Sequence, residues 1–134
     1  ERAVAEYDQA IERNPDYAEA YYRRAEANVA QGEPTRAQPD YVRATQLDPN
    51  NAEIYYSWAL SYVEQGNLDY AIAKLTQAIE LDPGYAEAYY RRALVYLDKG
   101  KPDKARADLL KVVEIGDDAL RRAAEEKLAG LGAE

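Results

Sequence analysis

The 134-residue chain contains no cysteine and no histidine. That removes disulfides, thiolate nucleophiles and zinc sites built on either residue. The commonest general bases and nucleophiles go with them. Serine occurs only at Ser57 and Ser61, with no lysine within four residues of either, so a serine–lysine arrangement has no local support. No phosphate loop of the G-x-x-x-x-G-K type is present, and the glycines fall at turns or near the terminus. Paired acids, Asp117-Asp118 and Glu125-Glu126, are the remaining candidates for acid–base work or calcium. Where they stand they read as helix-start and solvated-face charges. The expectation is a non-enzyme with no metal and no cofactor.

Long apolar runs are missing too. No stretch approaches the roughly 20 residues that a spanning helix needs, and no signal-peptide pattern opens the chain. Membrane insertion is therefore not expected. The lack of cysteine fits a reducing compartment, and a cytoplasmic setting is the matching expectation. Methionine is absent even at position 1, so the chain reads as a processed product or a piece of something longer. Positive charge is scarce, with 17 basic residues against 25 acidic ones and a net charge of −8. Phosphate neutralisation by Lys and Arg supplies most nucleic-acid affinity, so nucleic acid is not an expected partner. The balance is uneven: residues 52–85 carry five acids and one lysine, residues 86–116 seven basic residues and five acids. Such polarity can steer a partner or simply solvate a surface. Apolar residues make up 47% and charged residues 31%, which is neither a disordered nor a membrane-embedded composition.

What the chain has in abundance is periodicity. Pro15, Pro49 and Pro83 are each 34 residues apart, as are Gly32, Gly66 and Gly100. Ala3, Ala37, Ala71 and Ala105 keep the same step, and so do Tyr7, Tyr41, Leu75 and Leu109. The octet AEAYYRRA at 18–25 recurs intact at 86–93. Several registers locked to one period mark a repeat architecture.

Within one period the pattern reads helix, turn, helix. Tyr55, Ala59 and Tyr62 share one helical face. Gly66 ends that helix, because glycine alone takes the left-handed conformation cheaply. Asn67 is placed to cap the next helix, whose buried stripe is Ala71, Leu75, Ala78 and Ile79. Pro83 stops it by biasing Asp82 away from helical dihedrals. Pro34 and Pro102 open second helices, where a missing N–H is tolerated. Pro39 lies past the first turn and should kink its helix or delay its start.

The 34-residue period, the Tyr-x-x-x-Ala-x-x-Tyr first helix, the Ala-x-x-x-Tyr/Leu second helix and the closing proline resemble the tetratricopeptide repeat family over residues 1 to about 116. The resemblance implies an all-α fold, an α-solenoid of antiparallel helix pairs in one domain. It divides into a half repeat at 1–17, repeats at 18–51, 52–85 and 86–116, and a capping helix at 117–131. In that helix Leu120, Ala124, Leu128 and Leu131 share a face, Asp117 and Asp118 favour the start, and Gly130 with Gly132 ends it. Departures from the family pattern are Arg24, Trp58 and Arg92 in place of its leucine, and Asn28 where Tyr62 and Tyr96 stand later. The Arg24 and Arg92 stems are expected to pack while their heads reach for solvent.

A second stripe runs along each first helix, one residue from the core face: Glu19, Tyr22, Glu26 and Val29; Glu53, Tyr56, Leu60 and Val63; Glu87, Tyr90, Leu94 and Leu97. One step turns about 100° around a helix, so this stripe cannot share the face that packs on the paired helix. Solvent-facing stripes are seldom so apolar. In the family, this stripe lines a concave groove that holds a partner's peptide or helix. The resemblance thus implies a protein-binding module in which Tyr22, Tyr56 and Tyr90 form a ladder flanked by Arg23, Ser57 and Arg91. The alternative for those rings is packing between neighbouring repeats. The family's dicarboxylate clamp for heat-shock chaperones is not expected. Its positions hold Tyr22, Glu26, Ser57, Glu87 and Arg91, and only Arg91 matches. The rival function is a self-assembling scaffold. Val4, Tyr7 and Ile11 lie on one side of a half repeat lacking its first helix, so they form an expected homo-oligomer face.

Overall fold

The computed structural model describes residues 2–132, and among these there are eight helices and no strand. They are α1 (Arg2–Arg13), α2 (Ala18–Ala30), α3 (Pro34–Leu47), α4 (Ala52–Glu64), α5 (Leu68–Leu81), α6 (Ala86–Asp98), α7 (Pro102–Ile115) and α8 (Asp118–Gly132). Each helix packs on the next, most extensively within the pairs α2–α3, α4–α5 and α6–α7, while α1 and α8 flank the array. Alanines make the close approach. Ala25, Ala37, Ala59, Ala71, Ala78, Ala93 and Ala105 are all completely buried at the pair interfaces.

The turn inside each pair is built the same way three times. Gly32, Gly66 and Gly100 adopt φ of 81°, 76° and 72°. The residue after each glycine donates its N–H back to the first helix: Glu33 to Asn28, Asn67 to Tyr62 and Lys101 to Tyr96, each at 2.9 Å. This is the closure that a left-handed C′ residue permits. The buried stripe of α5 is Ala71, Leu75, Ala78 and Ile79, as its spacing predicts.

Three local expectations need correcting. Asn67 occupies the N-cap of α5 but its side chain makes no capping bond. The chain leaves the glycine turn with the Asn67 carbonyl already accepting from the Ala71 N–H at 3.0 Å, so the backbone opens this helix unaided. Asn51 is the asparagine that caps, accepting from the Glu53 N–H at 3.1 Å. Pro39 does not delay α3, which runs unbroken from Pro34 to Leu47. Its ring is exposed, while Ala37, Asp40, Tyr41 and Ala44 around it are buried and hold the helix in place. Gly130 does not end α8, which continues to Gly132. An exposed glycine costs a helix only about 1 kcal/mol, and Leu128 and Leu131 anchor the helix on both sides of it. Asp117 does start α8, accepting from the Leu120 N–H at 2.8 Å.

Candidate functional site

The second stripe of the first helices does not stand uniformly in solvent. Tyr22 is only 7% exposed and belongs to the core cluster that also contains Ile54 and Trp58 of the next repeat. Burial, with Glu26 nearby, pushes its phenol up to about 12. Ser57 is buried as well. Its Oγ lies 2.7 Å from the Tyr41 hydroxyl and donates to Glu26 Oε2 at 3.2 Å. Tyr56 and Tyr90 are half-buried, and Tyr56 packs on Tyr85 with ring centroids 5.0 Å apart. Part of each ring therefore packs between repeats, and the ladder is unequal.

Arg23 is not free to receive a carboxylate. Its Nη1 donates to Glu26 at 2.8 Å, its Nε lies 3.5 Å from Glu19, and its guanidinium stacks over the Tyr22 ring at 4.6 Å. Glu53, Glu87, Arg91 and Val63 are exposed, while Leu60 and Leu94 are half-buried. Two hollows open where α2 meets α4. One is lined by Glu19, Tyr22, Arg23, Asp48, Asn51, Glu53 and Ile54. The other is lined by Glu26, Val29, Ala30, Tyr41, Ser57 and Leu60. Asp48, Asn51, Tyr41 and Tyr85 join the site from second helices and loops, where a stripe drawn on first helices alone does not look.

Arg24 and Arg92 are also placed differently from expectation. Their heads do not reach for solvent. Arg24 grips Asp40 through Nε and Nη2 at 2.7 and 2.6 Å, and Arg92 grips Asp108 at 2.8 and 2.7 Å. The third guanidinium nitrogen of each reaches back to the preceding second helix, Arg24 to Asp8 at 2.8 Å and Arg92 to Thr76 at 3.1 Å. These bonds hold both guanidinium pKa values above their ordinary range. A bidentate fork satisfies carboxylate and guanidinium at once, so neither needs water. The signal was in the sequence as an Arg and an Asp 16 residues apart in two repeats.

The two ends differ. Val4, Tyr7 and Ile11 are half-buried, and α1 has no completely buried residue. At the other end α8 buries Ala124 and packs Leu120, Leu128 and Leu131 on the last core cluster.

Family models described as tetratricopeptide repeat match residues 18–51 and 56–120, and one described as TPR repeat matches residues 1–32. The chain belongs to the tetratricopeptide repeat family. Among curated proteins none matches it in sequence. Among solved structures it is similar to MamA, at 28% identity and a TM-score of 0.78 over 84% of this chain. It spans 66% of that MamA chain, just under two thirds. It is similar to YrrB, described as a TPR protein with an unusual peptide-binding site, at 26% identity and a TM-score of 0.71, covering 93% of this chain and 82% of YrrB. A third similar structure is the second TPR of Spaghetti (RPAP3) bound to the HSP90 peptide SRMEEVD. There the identity is 28% and the TM-score 0.69, covering 73% of this chain and 91% of that one. Repeat family, helix-pair array and similar structures agree on the fold.

Proposed function

We propose that the face carrying Tyr56, Leu60, Val63, Tyr90 and Leu94 is a groove that binds an extended or helical segment of a partner protein. The observation that carries this reading is the placement of these apolar side chains. They lie on the first helices α4 and α6 and are left partly uncovered by their own repeats, and Leu60 lines a hollow between α2 and α4. Similar structures supply support, since YrrB is described with a peptide-binding site and the Spaghetti repeat with a bound peptide. The SRMEEVD peptide itself does not suit this chain. Glu19, Glu26 and Glu53 crowd one end of the face, and Arg23 is already occupied by two of them. Like charges opposed across an interface cost affinity.

The test is selection of peptides from a displayed random library on the folded chain, followed by affinity measurement with Tyr56→Ala and with Leu60→Glu. Loss of binding in both, with helicity retained, supports the groove. Selected peptides that bind both variants as well as the parent chain contradict it. Tyr22 is unsuitable for this purpose, because its truncation would open the core.

A second reading, self-association through Val4, Tyr7 and Ile11, is favoured by one observation: α1 buries no residue completely. Light scattering over a wide concentration range tests it. A mass that stays at 15.1 kDa at the highest concentration contradicts it.

A further inference from the structure

The repeats place three corresponding residues around one slot, and the three slots are not filled alike. In the third repeat the slot holds the Tyr96 ring, with the Arg92 guanidinium 5.8 Å and the Lys104 ammonium 5.7 Å from its centroid. In the second it holds Tyr62, stacked between Trp58 at 6.1 Å and Tyr70 at 5.2 Å. The matching residues of the first repeat, 34 positions earlier, are Arg24, Asn28 and Arg36. Arg24 keeps one aromatic neighbour, Tyr21 at 5.8 Å, as Arg92 keeps Tyr89 at 5.7 Å. Its second ring is missing because Asn28 stands in the tyrosine's place.

The consequence is a cavity of about 260 Å³. Asn28 and Asp40, 5% and 7% exposed, lie at its floor, and the exposed Asp8, Arg36 and Pro39 stand at its mouth. An apolar cavity of roughly 150 Å³ already holds a benzene ring. The polar walls here favour a ring that carries a hydrogen-bonding group. Anions are disfavoured, because Arg24 is committed to Asp40 and Asp8, and Arg36 to Glu33 at 2.9 Å. An aromatic ring, by contrast, is attracted to the face of a guanidinium whatever that group's in-plane partners are.

We propose that this cavity receives a tyrosine side chain from a partner protein, which completes in trans the Arg–Tyr stack that the third repeat makes internally. The site shares no residue with the proposed groove and does not depend on it. Its phenol finds both a donor and an acceptor in the Asn28 amide, as the Tyr62 hydroxyl of the second repeat accepts from Gln38 Nε2 of α3 at 2.6 Å.

The experiment is a nitrogen-15 NMR titration of the full chain with N-acetyl-tyrosinamide, against N-acetyl-leucinamide as control. The expected result is saturable shifts of the Asn28 side-chain amide and the Arg24 Nε resonance with the tyrosine probe alone. Asn28→Tyr, which restores the repeat pattern, should abolish the Arg24 Nε shift, the reporter that both filled variants retain, and raise the Tm by several degrees. Asn28→Leu fills the same space without a ring and serves if the tyrosine variant does not fold. The proposal is overturned if both probes shift the resonances equally, if neither does, or if the filled variants still respond to N-acetyl-tyrosinamide.

Discussion

The first and third repeats tie their helix pairs together with Arg24–Asp40 and Arg92–Asp108, whereas the second sets the Lys74 ammonium 3.9 Å from the centre of the Trp58 ring. The positions correspond in all three, with the same 16-residue spacing. On the first helix a cation is exchanged for an aromatic ring, and on the second an anion for a cation. Each combination leaves the pair internally matched, and every mixed combination fails. Arginine opposite Lys74 would oppose like charges, and tryptophan opposite Asp108 would strand a carboxylate at a site where Asp108 is 5% exposed. The repeat conserves a geometry, and chemistry changes only two residues at a time.

The largest expected effect comes from halving the more buried pair. Asp108→Ala leaves the Arg92 guanidinium, 17% exposed, without its carboxylate. Removal of one partner of a buried ion pair costs about 3–5 kcal/mol. Urea denaturation should show a loss near the lower end, because Thr76 still accepts one bond from Arg92. Asp40→Ala should cost less, since Asp8 remains on Arg24. Lys74→Ala should cost only ~1 kcal/mol, the scale of a partly exposed cation–π contact. Burial holds the Lys74 amine below its ordinary pKa, which offsets part of the gain from the ring. Equal losses at Asp108 and Lys74 would break the comparison.

Exchange in pairs sharpens it. Trp58→Arg alone places a guanidinium beside Lys74 and removes the indole that stacks on Tyr41 and donates to Gln38. Adding Lys74→Asp should return at least ~1 kcal/mol, because interacting neighbours are not additive. Strict additivity of the two substitutions would show that the spacing carries no coupling.

The pairing also marks where the sequence stops being legible. Helix faces, turns and the alanine interfaces follow from local spacing, so Ala71, Leu75, Ala78 and Ile79 are buried as read, and Gly66 turns left-handed as read. Arg24 and Asp40 meet across two different helices, and no periodicity within either one announces it. The groove stripe was readable as a row, but not the inequality of its members. Tyr22 is buried because Ile54 and Trp58 of the next repeat close over it, and Ser57 because Tyr41 and Glu26 bond its hydroxyl. The cap expected at Asn67 is absent for a similar reason: a glycine turn already delivers the chain into α5, while α4 is entered through the extended Asn51, whose side chain caps it.

Pro39 sits in the first repeat where the second has Ala73, and α3 stays continuous through it without the bond that Pro39, lacking an N–H, cannot give to Thr35. Proline is about 3 kcal/mol worse than alanine in a helix interior, so Pro39→Ala should raise the Tm and add ~1–3 kcal/mol of stability. An unchanged melting curve would mean that local adjustment has absorbed the cost.

A smaller, pH-dependent effect separates buried tyrosines from exposed ones. Burial raises the phenol pKa of Tyr22, Tyr41 and Tyr85, that of Tyr22 to about 12. Unfolded, these phenols lose their protons near pH 10. The folded state therefore binds more protons than the unfolded one between those values. The contribution is fully present below pH 10 and declines as pH rises toward 12. Absorbance near 295 nm should show fewer than the chain's 13 tyrosines ionising around pH 10, with the rest appearing on alkaline unfolding. One uniform titration near pH 10 with the fold intact would contradict this.

The central claim is that the module binds through the stripe on its first helices. The most direct measurement is the affinity of a library-selected peptide for Tyr56→Ala, set beside Leu110→Ala on the second helix α7, where Leu110 is 55% exposed. Loss of at least ~1 kcal/mol, roughly five-fold in Kd, is expected for Tyr56→Ala, with Leu110→Ala unchanged. An unchanged affinity for Tyr56→Ala with helicity intact, or a loss confined to Leu110→Ala, would contradict the account.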